Sequence, residues 1–196
     1  MTAKRSLLAL GVLAVLVLLV IGLAQTGGPT PEARPSGLSL AQMQSRLAGS
    51  PAALAALHAQ GGEILSGGLR ALRARLGTLR GRPVVINKWA SWCQPCRAEF
   101  GVFQRVSLAQ GRRVAFIGID SGDTSRASAV GFLRSVPVSY PSYYDASGQA
   151  GEAITDSTFT PVTVFYDRRG SQYIHQGPYT STAKLEEDVR RYALDA

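Results

Sequence analysis

The chain has 196 residues, 45% of them hydrophobic and 17% charged, which fits one ordinary globular domain with additions and leaves enough apolar material for a core. Its formal net charge is +8, and many of the arginines fall between Arg70 and Arg113, interleaved with Leu, Val and Phe; that pattern argues a solvated face and against a nucleic-acid surface. Two cysteines and two histidines, with His58 and His175 far apart, give no ligand spacing for tetrahedral zinc.

"MTAKRS" is short and positive, and Leu7 to Ala24 has no charged or polar side chain. Lys4 and Arg5 precede it and no basic residue follows until Arg34, so the N-terminus is expected in the cytoplasm and everything after Ala24 outside. Residues 1–24 are therefore expected to be a cytoplasmic tail and transmembrane anchor, with cleavage after Gly22-Leu23-Ala24 as a signal peptide the alternative. No cysteine lies nearby to carry a lipid. Either outcome leaves the rest of the chain in an oxidising or redox-contested compartment.

Residues 25–50 are expected as a linker: "QTGGPTPEARPSG" is rich in Gly, Pro and small polar residues, and "LSLAQMQSRLAG" after it has helical patterning. The folded domain is expected over 51–196. "SPAALAALHAQG" predicts a helix capped by Ser50, with Pro51 in its first turn and Gly61-Gly62 at its end. "LRALRARLGTLRG" puts Leu69, Leu72, Leu76 and Leu79 on one helical face. "PVVINKWA" predicts a buried strand and "CRAEFGVFQRVSLAQG" a helix closed by Gly111. "RRVAFIGID" predicts a second strand, and "TSRASAVGFLRSVP" a helix stopped by Pro137. "TPVTVFYD" and "SQYIHQG", joined by "RRG", predict a hairpin, and "STAKLEEDVRRYALDA" a last helix capped by Thr180 or Ser181. Strands alternating with helices argue an α/β sheet covered on both faces.

Both cysteines sit in "SWCQPCRAEF". As a structural disulfide the pair closes a tiny loop and stabilises little. As metal ligands they lack companions. As a dithiol–disulfide couple they sit where a strand gives way to a helix, and there free backbone N–H groups and the helix dipole stabilise a thiolate. On that reading Cys93 is the exposed nucleophile, and Cys96, one turn deeper, resolves the mixed disulfide.

"VVINKWASWCQPCRAEF" resembles the active-site strand, turn and helix of the thioredoxin superfamily, and most nearly its membrane-tethered TlpA/ResA/CcmG type; "FTPVTVFYDRRG" adds to the likeness. The resemblance implies a thioredoxin fold, a central mixed β-sheet flanked by helices on both faces, following one N-terminal transmembrane helix. It implies an enzyme, a thiol–disulfide oxidoreductase needing no cofactor beyond the Cys93–Cys96 disulfide. Thr160-Pro161 matches the family's cis-proline segment beside the disulfide, with Thr160, Pro161 and Trp92 as substrate-contact residues. Gln94 and Pro95 would tune the reduction potential. Glu99 matches an acid that assists proton movement at the thiols, expected as a partly desolvated carboxylate. Asn87 stands where cytoplasmic thioredoxins carry a buried acid, and Trp89 is expected to be packing. Lys88 occupies a position usually apolar; its stem should be covered and its amine should reach water.

The implied activity is reduction of disulfides in exported cysteine-containing proteins, apocytochrome c among them, by a monomer fed by a membrane thiol-electron donor. The alternative is the same chemistry run as a disulfide-forming oxidase. A non-enzymatic or copper-handling module of this fold is disfavoured, because such relatives place three residues between the cysteines.

Overall fold

The computed structural model describes residues 34–195. The expected transmembrane anchor lies outside the described residues; within them no helix is long and apolar enough to cross a membrane.

Part of the segment expected as linker is folded. Helix α1 (Leu40–Arg46) opens on a capping box, Ser39 Oγ accepting from Gln42 N and Gln42 Oε1 accepting from Ser39 N. It buries Met43, and its C-cap Leu47 is buried as well. Helix α2 (Ala52–His58) buries Leu54 and Leu57. Ser50 is not its cap: the Ser50 hydroxyl donates back to the Leu47 carbonyl at 2.6 Å, and Pro51 occupies the cap position without a side-chain bond. Then come β1 (Ile64–Leu65), α3 (Gly68–Thr78), β2 (Val84–Trp89), α4 (Gln94–Gln110), β3 (Ala115–Ser121) and α5 (Arg126–Ser135). They are followed by β4 (Ser142–Asp145), α6 (Gln149–Glu152), β5 (Val162–Tyr166), β6 (Gln172–Gln176) and α7 (Thr182–Asp188). Ser181 caps α7, which continues as a π-helical stretch over Val189–Leu194.

The strands form one mixed sheet in the order β1-β4-β3-β2-β5-β6. β1, β4, β3 and β2 run parallel; β5 is antiparallel to β2, and β6 to β5. Every residue of β2 and β3 is buried, as a strand covered on both faces requires. Alternation sends Val85 and Trp89 to a core shared with Phe100 and Phe103 of α4, Phe132 of α5 and Leu185 of α7. Val84 and Ile86 go to the opposite core, with Leu54 and Leu57 of α2 and Leu72 of α3. Gly118 lets the layers close. A Cβ there would lie 2.0 Å from Ser142 Oγ and 2.9 Å from Trp89 Nε1, the two atoms that hydrogen-bond over it at 3.2 Å.

Candidate active site

β2 ends at Trp89 in the middle of the sheet, and the chain turns through Ala90, Ser91 and Trp92 into α4. Cys93 is the N-cap of that helix, and its Sγ accepts a hydrogen bond from Cys96 N at 3.2 Å. Cys93 and Cys96 are joined as a disulfide with Cα atoms 5.2 Å apart. The expectation of an exposed Cys93 needs correcting: Cys93 is 4% exposed and Cys96 0%, so only a sliver of the first sulfur's residue meets solvent. Gln94 and Pro95 between them are exposed.

The turn before Cys93 is held from several sides. Ser91 N donates to Asp123 Oδ2 at 2.9 Å and Ser91 Oγ to Asp123 Oδ1 at 2.7 Å. Arg97 Nη1 donates to Ser91 O at 3.1 Å, its guanidinium 4.7 Å above the Phe132 ring. Trp92 is 63% exposed, and its indole donates to the Gly122 carbonyl at 2.9 Å, which lays the ring beside the motif. Trp89 is wholly buried, edge-on to Phe100 at 4.9 Å.

One turn below Cys96, Glu99 is wholly buried, where a partly desolvated side chain was expected. Asn87 Nδ2 donates to Glu99 Oε1 and Tyr179 N to Glu99 Oε2, each at 3.0 Å. Burial pushes the Glu99 carboxyl up to about 8, against the two hydrogen bonds that pull it down. The Tyr179 contact was not foreseen, since it joins residues 80 apart in sequence.

Thr160–Pro161 is a cis peptide, as the resemblance implies. It leads into β5, whose Val162 pairs with Lys88, so the proline sits at the end of the sheet where β2 delivers the cysteines. Pro161 is buried, Thr160 half-buried, and neighbouring Phe159 is 77% exposed. The Lys88 stem is covered as expected, and its amine donates to the Ser157 carbonyl at 2.6 Å. Burial holds that amine below its usual range, with Asp145 and Glu152 pulling the other way. Gly151 makes room for the stem, since a Cβ there would meet Lys88 Cε at 2.9 Å. His175 stacks on Tyr179 at 4.2 Å and His58 is buried against the Gly111 backbone, so both histidines are taken up in packing.

A mixed sheet whose central strand feeds a Cys-x-x-Cys helix start, beside a cis-proline strand, defines a thioredoxin-superfamily domain. No family model matches the chain. It is similar to thiol:disulfide interchange protein DsbE of Yersinia pestis, 40% identical over 114 residues that cover 57% of this chain and 58% of that protein. It is also similar to thiol-disulfide oxidoreductase ResA of Bacillus subtilis (strain 168), 27% identical over 99 residues covering 50% and 54%. The matches thus span less than two thirds of these relatives. A solved structure of MTB DsbF superposes with a TM-score of 0.55 at 26% identity, over 58% of this chain and 83% of that one. A secreted Mycobacterium tuberculosis disulfide oxidoreductase homologous to E. coli DsbE gives 0.54 at 24% identity, over 59% and 85%, a likeness of fold. Within the superfamily the likeness is to thiol–disulfide oxidoreductases of the DsbE and ResA type.

Proposed function

We propose that the chain is an extracytoplasmic thiol–disulfide oxidoreductase, tethered to the cytoplasmic membrane through residues 7–24, which reduces disulfides in exported cysteine-containing proteins, apocytochrome c among them. The observation that carries the reading is the Cys93–Cys96 couple at the start of α4, with Cys93 Sγ receiving the Cys96 N–H and a protonatable Glu99 buried one turn below. The extracytoplasmic setting draws on the DsbE and ResA relatives and on the secreted Mycobacterium tuberculosis neighbour, together with the apolar segment after Lys4 and Arg5.

In the reduced protein the Cys93 thiolate attacks one sulfur of a substrate disulfide. A bond forms between Cys93 Sγ and that sulfur, and the other substrate sulfur leaves as a thiolate and takes a proton. Cys96 then loses its proton and attacks Cys93 Sγ. The substrate's second sulfur leaves as a thiol, and the Cys93–Cys96 disulfide remains. Two electrons have passed to the substrate, and a membrane thiol donor restores the dithiol. Glu99 takes the Cys96 proton, and Trp92, Thr160 and Pro161 line the approach of the substrate chain.

Trapping combined with a reduction potential tests this. Cys96→Ser is expected to accumulate mixed disulfides with exported proteins, and Cys93→Ser to accumulate few. The potential is expected well below the about −120 mV of strong oxidases of this fold. A value near that level assigns the chain to disulfide formation instead, and faster alkylation of Cys96 than of Cys93 reverses the two sulfurs.

A further inference from the structure

Asp120 is the least accommodated carboxyl near the site. It lies in β3 opposite Trp89 of β2 and Tyr144 of β4, so its side chain shares the sheet face of Trp89. It is wholly buried, and neither of its oxygens receives a hydrogen bond from a donor. An ionised carboxylate left this way is costly, so the group retains its proton. The partner for that proton is the Asp123 carboxyl, within hydrogen-bonding reach. Asp123 is itself buried, and its two oxygens take the N–H and the hydroxyl of Ser91. Between the two acids, the Gly122 carbonyl takes the Trp92 indole. One short segment therefore grips both residues that precede Cys93.

We propose that Asp120 and Asp123 form a proton-sharing carboxyl pair that positions the Ser91–Trp92 turn, making Asp120 a positioning residue for the Cys93 sulfur. With one proton between them, the pair carries a single charge and Asp123 can hold Ser91 with both oxygens. When that proton leaves, two buried anions repel and the turn is released. Burial pushes the Asp120 carboxyl up to about 9, with the Asp123 hydrogen bond and the charges of Asp123 and Asp145 adding to it. Tyr144 OH donates to Asp123 O at 3.3 Å, Arg97 bonds Ser91 O, and Lys88 bonds Ser157 O.

The inference rests on Cys93 being the attacking thiol, but its first readout does not. In the oxidised full-length chain in detergent, no thiol titrates, and the indole N–H resonance of Trp92 reports on Gly122 directly. That resonance is expected to move through one titration between about pH 8 and 10. Asp120→Asn keeps a donor toward Asp123 and cannot ionise. It should abolish the titration, keep the neutral-pH resonance, and leave Cys93 reactivity with a small disulfide within about twofold at pH 7. Asp120→Leu removes the donor and should shift the resonance and slow Cys93 by about tenfold. A Trp92 resonance that does not titrate in the unaltered protein, or titrates equally in Asp120→Asn, overturns the pair. Should Asp120→Leu fail to fold, the Asp120→Asn comparison still decides. Loss of the Trp92 titration in Asp120→Asn with Cys93 inert as a nucleophile upholds the pair and sinks only the assignment of Cys93.

Discussion

Asn87 Nδ2 donates to Glu99 Oε1 at 3.0 Å in a layer where neither residue is more than 1% exposed. The other end of the amide, Asn87 Oδ1, has no partner. An amide presents donors on one side and an acceptor on the other. Facing Glu99 with its NH2, Asn87 serves the carboxylate; rotated half a turn, its oxygen accepts from the protonated acid. Glu99 can thus hold or give up a proton and keep Asn87 as a partner in either state, while Tyr179 N keeps its second oxygen in place.

Asn87→Leu should move the Glu99 titration further above about 8, because one of the two hydrogen bonds that oppose burial is gone. Carboxyl-carbon resonances followed against pH in the oxidised protein read this directly. A midpoint that stays put, or falls, means that Asn87 does not support the Glu99 anion.

Glu99→Gln should fold, since Asn87 can turn its oxygen toward the new amide. Attack by Cys93 should change little, because the helix start stabilises that sulfur. Resolution by Cys96 should slow by about a hundredfold or more, the ordinary range for lost general-base help. Stopped-flow traces of the two steps separate them; an unaltered resolution rate near neutral pH removes Glu99 from proton transfer.

Lys88→Met keeps most of the buried stem and loses the bond to the Ser157 carbonyl, just upstream of Thr160-Pro161. Overall stability should change by no more than about 1–2 kcal/mol, since a buried cation is removed along with its bond. Amides from Thr155 to Phe159 should exchange faster with solvent, and a folded protein disulfide should be reduced less efficiently while a small disulfide is unaffected. Unchanged exchange in that segment shows that Lys88 does not tether the approach to Pro161.

The long apolar runs of β2, β3 and β5 and the helices α4 and α5 are legible in sequence because each carries its own period and punctuation. β4 is not: "SYYD" is four residues with a polar start, and its strand character comes from neighbours on both sides. β1 is two residues long and exists through pairing with β4. Helix α6 is one turn, started by Asp145, whose oxygens accept from Ala150 N at 3.0 Å and Gly151 N at 2.8 Å. Helix α1 is legible as helical patterning in "LSLAQMQSRLAG", but the expectation placed it within the linker 25–50 and did not include its capping box, Ser39 with Gln42. At the site, the contiguous motif was readable. The meetings of Glu99 with Tyr179 and of Ser91 with Asp123 were not, since they join elements that only the folded sheet brings together.

Two buried acids make stability fall as pH rises. Glu99 is pushed from 4.5 up to about 8 and Asp120 from 3.8 up to about 9, burial being the first cause in each. In the unfolded chain both give up their protons near the ordinary values. Between those values and the raised ones the folded protein therefore binds more protons than the unfolded chain. Stability from each acid is fully present below about pH 4 and is lost as pH climbs through about 8 for Glu99 and about 9 for Asp120. The slope is at most about 1.4 kcal/mol per pH unit for each group. Asp167 works in the opposite sense: hydrogen bonds from its own turn hold its carboxyl below the usual range, so its contribution is lost in acid. Denaturant titrations of the oxidised protein from about pH 5 to pH 9 should show a midpoint that declines throughout. Glu99→Gln should remove about half of the decline below about pH 8, and Asp120→Asn the other half together with what remains up to about pH 9. A midpoint flat from about pH 5 to pH 8 in the unaltered protein means that both acids are already ionised in the fold, and that burial does not hold the Glu99 proton at neutral pH.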